Sequence, residues 1–165
     1  MKLVILLFAL FVTGVRAAEP KVILYLLDHT RKEETEKKFW IDWSNAWVGI
    51  IKTKEIEGEE AELIVKQLRR SLKNTECTNF CGHDPIYGII AKNKEGRTVK
   101  TSLCFKCGTW VKAGPGKGLR LDIKGEFGID NPLCLILREH LELPEALLKK
   151  KSEQSVPPKS DRAGG

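Results

Sequence analysis

The chain has 165 residues, of which 42% are hydrophobic, and 28 Lys or Arg against 22 Asp or Glu give it a formal charge of +6. This apolar content excludes a wholly disordered chain and suits a single domain with its own core. The charge excess does not identify a nucleic-acid binder: Lys2 and Arg16 lie in the N-terminal segment, residues 149–165 hold five basic and two acidic side chains, and residues 18–148 balance at 21 basic against 20 acidic. No aromatic residues interleave the basic ones, so no nucleic-acid partner is expected.

Residues 1–17 read as an export signal. Lys2 supplies the charged start, Leu3 to Val12 is an unbroken apolar run, and Val15-Arg16-Ala17 is a small-residue cleavage pattern. The run is ten residues long, half the length of about 20 that a membrane helix needs, and no later run approaches that length. A secreted or periplasmic chain with no transmembrane segment is therefore expected, with residues 18–148 as one domain. Residues 149–165 form a polar, basic tail, Lys149-Lys150-Lys151 first, that buries too little to order itself. Its partner chemistry is at most a weak electrostatic contact with anionic surfaces.

Val22 to Leu27 is a β-branched and apolar run that predicts a first strand, and the charged stretch Arg31 to Lys38 predicts a helical connection. Trp40, Trp43 and Trp47 recur at i, i+3 and i+7, the spacing of one helix face, while Trp47 to Ile51 reads as strand. Three indoles so close offer a sugar-stacking platform, although such clusters more commonly bury their area in a core. Glu59 to Lys73 carries the plainest helical signal: Ala61, Ile64, Val65, Leu68 and Leu72 make one apolar stripe. Glu59, Glu60 and Glu62 crowd its start and Arg69, Arg70 and Lys73 its end, in accord with the helix dipole.

Ile86 to Lys92 and Arg97 to Leu103 predict two antiparallel strands joined by the turn Asn93-Lys94-Glu95-Gly96. Thr109 to Lys112 and Leu119 to Ile123 extend the sheet, and Leu133 to His140 and Pro144 to Leu148 predict closing helical pieces. Gly114-Pro115-Gly116-Lys117-Gly118 is a turn rather than a phosphate loop, because Leu119 and a strand follow where Ser or Thr and a helix are required.

The chemistry-bearing constellation is Cys77 and Cys81 followed by Cys104 and Cys107, a C-x3-C pair and a C-x2-C pair that the predicted hairpin carries toward one another. Four such thiolates close a tetrahedral zinc site, which leaves no position for water and is therefore structural; His83 is the alternative fourth ligand. In an oxidising compartment the same thiols instead pair as disulfides across the hairpin. Zinc is favoured, because both spacings are tight chelating ones and because Cys134, in the apolar run Pro132 to Leu137, is then an ordinary buried thiol. The enzymatic alternative is a thiol-disulfide oxidoreductase using Cys104 and Cys107, but Gly108 to Val111 reads as turn and strand, not the helix start that activates such a thiol. Cys81, His83 and Asp84 are too close in sequence to converge as a hydrolase, and His29 and His140 beside apolar runs read as surface or packing residues.

The segment Cys81-Gly-His-Asp-Pro-Ile-Tyr-Gly-Ile, the Lys-Asn-Lys-Glu-Gly turn and Thr101-Ser-Leu-Cys104-Phe-Lys-Cys107 resemble a group of uncharacterised bacterial exported proteins with a C-[FY]-x-P-R-H-G-[IL] segment and a C-F-x-C segment. The likeness spans about residues 47–148, carries over Cys81, Pro85, Gly88, Cys104 and Cys107, and departs at Ile86 and Tyr87, where the group has an Arg-His pair. The resemblance implies no activity. The expectation is thus a small single α+β domain, an antiparallel sheet packed by one main helix with a cysteine-pinned hairpin, acting as a non-catalytic accessory or binding module.

Overall fold

The computed structural model describes residues 18–30, 35–72, 82–104, 108–114, 118–122 and 131–145. Among them, seven strands and two helices form one α+β domain. The strands are β1 (Lys21–Leu27), β2 (Lys38–Ile41), β3 (Ala46–Glu57), β4 (Tyr87–Lys92), β5 (Thr98–Cys104), β6 (Thr109–Lys112) and β7 (Leu119–Asp122); the helices are α1 (Gly58–Ser71) and α2 (Pro132–His140). Every neighbouring pair in the order β2-β3-β1-β4-β5-β6-β7 is antiparallel.

Alternation along the strands divides the side chains between two faces. Val22, Leu24 and Leu26 of β1, Ile89 and Ala91 of β4, Leu103 of β5, Trp110 of β6 and Leu121 of β7 face the helices and form the larger core. Ala61, Ile64 and Leu68 of α1 cover it, together with Leu133, Cys134 and Leu137 of α2. Glu59 and Glu60 at the start of α1, and Arg69 and Arg70 at its end, match the helix dipole. At α2, Asn131 caps the first turn by accepting from the Leu133 N–H at 3.0 Å, and Pro132 follows where no intrahelical donor is needed.

A second, smaller core of Leu27, Phe39, Ile41 and Val48 lies on the opposite face, flanked by Tyr25, Ile50 and Ile90. A bulge between the pairs Leu26↔Lys52 and Leu27↔Ile50 inserts Ile51 into β3. It reverses the parity of the strand, so that Val48 and Ile50 serve the second core whereas Ile51 and Ile56 pack on the helix side. The β2–β3 hairpin folds over this face and curls the sheet: Asp42 in its turn packs against Gly118 just before β7, and Trp43 stands with its ring centroid 5.8 Å from the Arg120 guanidinium. Gly88 permits a close approach of the hairpin, since a Cβ there would lie 2.8 Å from Phe39 Cε2.

Several expectations change. Trp40, Trp43 and Trp47 do not share a helix face; they sit on a β-hairpin in which Trp40 pairs directly with Trp47 and Trp43 occupies the turn. Apolar contacts of Phe39, Ile41 and Val48 beneath the hairpin decide for strand over helix. Trp47 is 60% exposed, and Trp40 and Trp43 are half-buried and belong to neither core. Residues 35–37 of the expected Arg31–Lys38 helical connection are irregular and Lys38 begins β2, while residues 31–34 lie outside the described residues. Strand β3 continues six residues past Ile51, to Glu57, and α1 is joined by α2 as a second packed helix. Of the expected Pro144–Leu148 helix only residues 144 and 145 are described, and Pro144 is not helical.

Candidate functional site

The polar centre of the molecule lies under the β2–β3 hairpin, on the face away from the helices. The register pairs Cys104 with Thr109, Ser102 with Val111 and Val111 with Arg120, which places Ser102, Cys104, Thr109 and Arg120 on this same face of β5, β6 and β7. Residues 82–86 run up to β4 beside them. Ile86 donates its backbone N–H to Leu103 O and accepts from the Leu27 N–H, both at 2.8 Å, and this double anchor delivers His83 to the cluster.

His83 is 2% exposed, with Nδ1 3.1 Å from Thr109 Oγ1 and Nε2 2.9 Å from Ser102 Oγ. A neutral imidazole offers one donor and one acceptor, and two rotatable hydroxyls satisfy either tautomer. Burial, reinforced by the Arg120 guanidinium, lowers the His83 pKa from 6.5 to about 3. The ring is thus held neutral at physiological pH and suits hydrogen bonding rather than proton transfer. Arg120 is itself buried at 5% exposure. Lys100 approaches from β5 with Nζ 4.9 Å from the Phe39 ring centroid and 3.8 Å from Asp42 Oδ2. Asp28, at the end of β1, is also buried and accepts from the Thr30 backbone N–H at 3.0 Å and from its hydroxyl.

Of the expected site residues, Cys104 is fully buried at the end of β5, directly across from the hydroxyl partner of His83. Cys77, Cys81 and Cys107 lie outside the described residues, as does the pinning of the hairpin that rests on them. Among the described residues, no group of three or more His, Cys, Asp or Glu side chains is arranged to hold a metal ion. Cys134 sits apart in the helix-side core as a free thiol, and burial pushes its pKa from 9.0 up to about 12. Its neighbour Tyr87 donates to Leu141 O at the end of α2, and burial raises the phenol's pKa as well.

Sequence reasoning missed Ser102, Thr109 and Arg120 as a set. A signal was present: polar residues at positions 102, 109 and 120 interrupt three strands whose neighbours Leu103, Trp110 and Leu121 are apolar, which marks a second, polar sheet face. No helix among the described residues is long and apolar enough to cross a membrane. No protein-family model, curated protein or solved structure matches the chain.

Proposed function

We propose that the chain is an exported, non-catalytic accessory or binding module in which Cys77, Cys81, Cys104 and Cys107 form a structural four-ligand site, with zinc favoured over disulfides. The observation that carries this reading is the contact of His83 with Thr109, because Cys81 is two residues from His83 and Cys107 two residues from Thr109. Cys81 and Cys107 are thus each two peptide links, of at most about 3.8 Å each, from a residue of that contact. Cys104 adds a thiol that is already buried at that place.

The proposed zinc site is a closed one made of the four cysteines. Both His83 nitrogens lie at hydrogen-bonding distance from hydroxyls, so a four-cysteine donor set leaves those bonds intact, whereas ligation by His83 would break one. Such a site contributes on the order of 10 kcal/mol of folding free energy in small metallo-domains. The oxidoreductase alternative has less support: Cys104 has no exposure to a disulfide substrate, and strand β6 rather than a helix follows Cys107 two residues on. The likeness to bacterial exported proteins belongs to the same proposal.

The test is a paired count on mature protein exported by a bacterial host and purified without reductant or chelator. One zinc per chain with five titratable thiols in denaturant is the expected result. Absence of metal with a single titratable thiol would overturn zinc in favour of two disulfides, and turnover of a model disulfide lost in Cys104→Ser would overturn the non-catalytic reading.

A further inference from the structure

At the far end of the β4–β5 hairpin from His83, α1 and the hairpin enclose a cleft of about 250 Å³. Its floor is apolar, built from Val65 and Leu68 of α1 and its C-cap Leu72 against Ala91 and Val99. It opens into an outer cavity of about 450 Å³ that shares Val65, Arg69 and Asn93 with it. Two arginines stand at the mouth. Arg69 Nη2 and Arg97 Nη2 each lie 3.2 Å from Glu95 Oε2, so two guanidiniums already converge on one carboxylate oxygen. Arg97, then Arg69, holds the Glu95 carboxyl below its ordinary pKa. Lys66 and Arg70 add positive charge around the outer cavity, where Glu62 is engaged by Lys94 at 2.6 Å.

Asn93 is the second observation. It is 8% exposed, and its Oδ1 accepts from the Arg97 backbone N–H at 2.8 Å, which fixes the orientation of the amide. Its Nδ2 has no hydrogen-bond partner among the described residues, yet the side chain lines both cavities. An amide donor that faces a cleft offers a position for an acceptor atom. Apolar floor, unpartnered donor and paired guanidiniums follow one another from the bottom of the cleft to its mouth.

We propose that this cleft binds a small apolar carboxylate, its hydrocarbon body on Val65, Leu68 and Val99 and its carboxylate shared between Asn93 Nδ2 and the Arg69 and Arg97 guanidiniums. The size of the inner cavity limits the body to a short chain or a single ring, below the usual range of about 300–1,000 Å³ for larger ligands. Glu95 competes for the same cations and keeps the mouth charged but closed to weak anions. The proposal is independent of the cysteine site, which lies at the other end of the six residues of β4, roughly 20 Å away at strand rise; either can fail without the other.

Sodium octanoate is the probe, titrated into the full mature protein while methyl NMR resonances of Val65, Ala91 and Val99 are followed, with octanol as the uncharged comparison. Saturable shifts confined to these methyls are expected, with octanol at least tenfold weaker, since one charge-assisted bond is worth about tenfold or more. Arg69→Met should weaken octanoate about tenfold without altering octanol, and Glu95→Gln should strengthen octanoate severalfold by freeing both guanidiniums. Absence of saturable shifts, equal affinity for octanol and octanoate, or indifference of octanoate to both substitutions would each overturn the proposal.

Discussion

Gly88 offers the sharpest test of how the hairpin closes on the sheet. A Cβ at this position would lie 2.8, 2.9 and 3.0 Å from Phe39 Cε2, Cδ2 and Cζ. Carbon atoms in contact rest at about 3.5–4.0 Å, so in Gly88→Ala the ring has to retreat by roughly 0.7 Å or more. It has little room to do so: Phe39 belongs to the second core with Leu27, Ile41 and Val48, its centroid lies 5.4 Å from that of Tyr25, and Lys100 Nζ sits over its face. Overpacking of this kind costs about 1–3 kcal/mol, against which the intrinsic gain of Ala over Gly in a strand returns about 0.5–1 kcal/mol. A net loss of about 1–2 kcal/mol is expected in urea unfolding, as a lower midpoint at constant slope. Phe39→Ala, itself costing about 3–5 kcal/mol, removes the obstruction, so Gly88→Ala introduced on that background should be neutral or stabilising. The coupling between the two sites should therefore be about 2 kcal/mol. If the two losses simply add, Phe39 does not pack over Gly88 and the hairpin does not close the sheet as described.

Three further outcomes are expected. His83→Leu leaves the Ser102 and Thr109 hydroxyls buried without their ring partner and should cost about 2–4 kcal/mol, whereas His83→Gln, which retains a donor and an acceptor, should cost less than half as much; equal losses in urea unfolding would deny the two hydrogen bonds. Tyr87→Phe should cost about 1–2 kcal/mol because Leu141 O loses its donor, and an unchanged melting temperature would refute that bond. Cys134 has its folded pKa raised to about 12 from 9.0, so the native thiol keeps a proton that the unfolded chain releases in that window. Stability is then fully present below pH 9 and falls as pH rises, by about 1.4 kcal/mol at pH 10 from this group, given 1.36 kcal/mol per unit. In Cys134→Ala the loss between pH 8 and pH 10 should shrink by that amount; an unchanged alkaline slope would refute the assignment.

Legibility in the sequence followed the locality of the signal. The stripe Ala61, Ile64 and Leu68 and the charge order of α1 repeat within a few residues, and the helix lies where they predict it, from Gly58 to Ser71. The β4–β5 hairpin was equally readable, because Asn93 to Gly96 is a turn flanked by apolar runs, and Gly96 does adopt a positive φ of 76°. The second half of β3 was not: Lys52 to Glu55 are exposed, and no alternation shows when neither face is covered. Charged residues along such a stretch instead discourage pairing with another chain. The tryptophans misled because positions 40, 43 and 47 satisfy a helical spacing by coincidence, while the cross-strand pairing of Trp40 with Trp47 depends on a turn at Asp42–Asn45. The His83 cluster lay beyond local reach, since its partners Ser102 and Thr109 are 19 and 26 residues away and meet it only through the β4–β5–β6 register.

The two faces of the sheet divide the molecule's tasks. On the helix side, burial of Leu, Ile and Val against α1 and α2 supplies stability without directional bonds. Under the hairpin, His83, Ser102, Thr109 and Arg120 are enclosed with their polar groups, an arrangement that fixes register because a shift of one residue would turn Ser102 and Thr109 away from the imidazole. A proton-transfer centre requires a group poised near the working pH and open to substrate. His83 is held neutral and only 2% exposed, and its two hydrogen bonds fasten the stretch before β4 to β5 and β6. The cleft between α1 and the β4–β5 hairpin is open by contrast, and combines an apolar floor with Arg69, Arg97 and the Asn93 amide. On the proposed reading of the chain as a binding module, the sealed polar centre holds the fold in register and the cleft is the open surface that the octanoate titration tests.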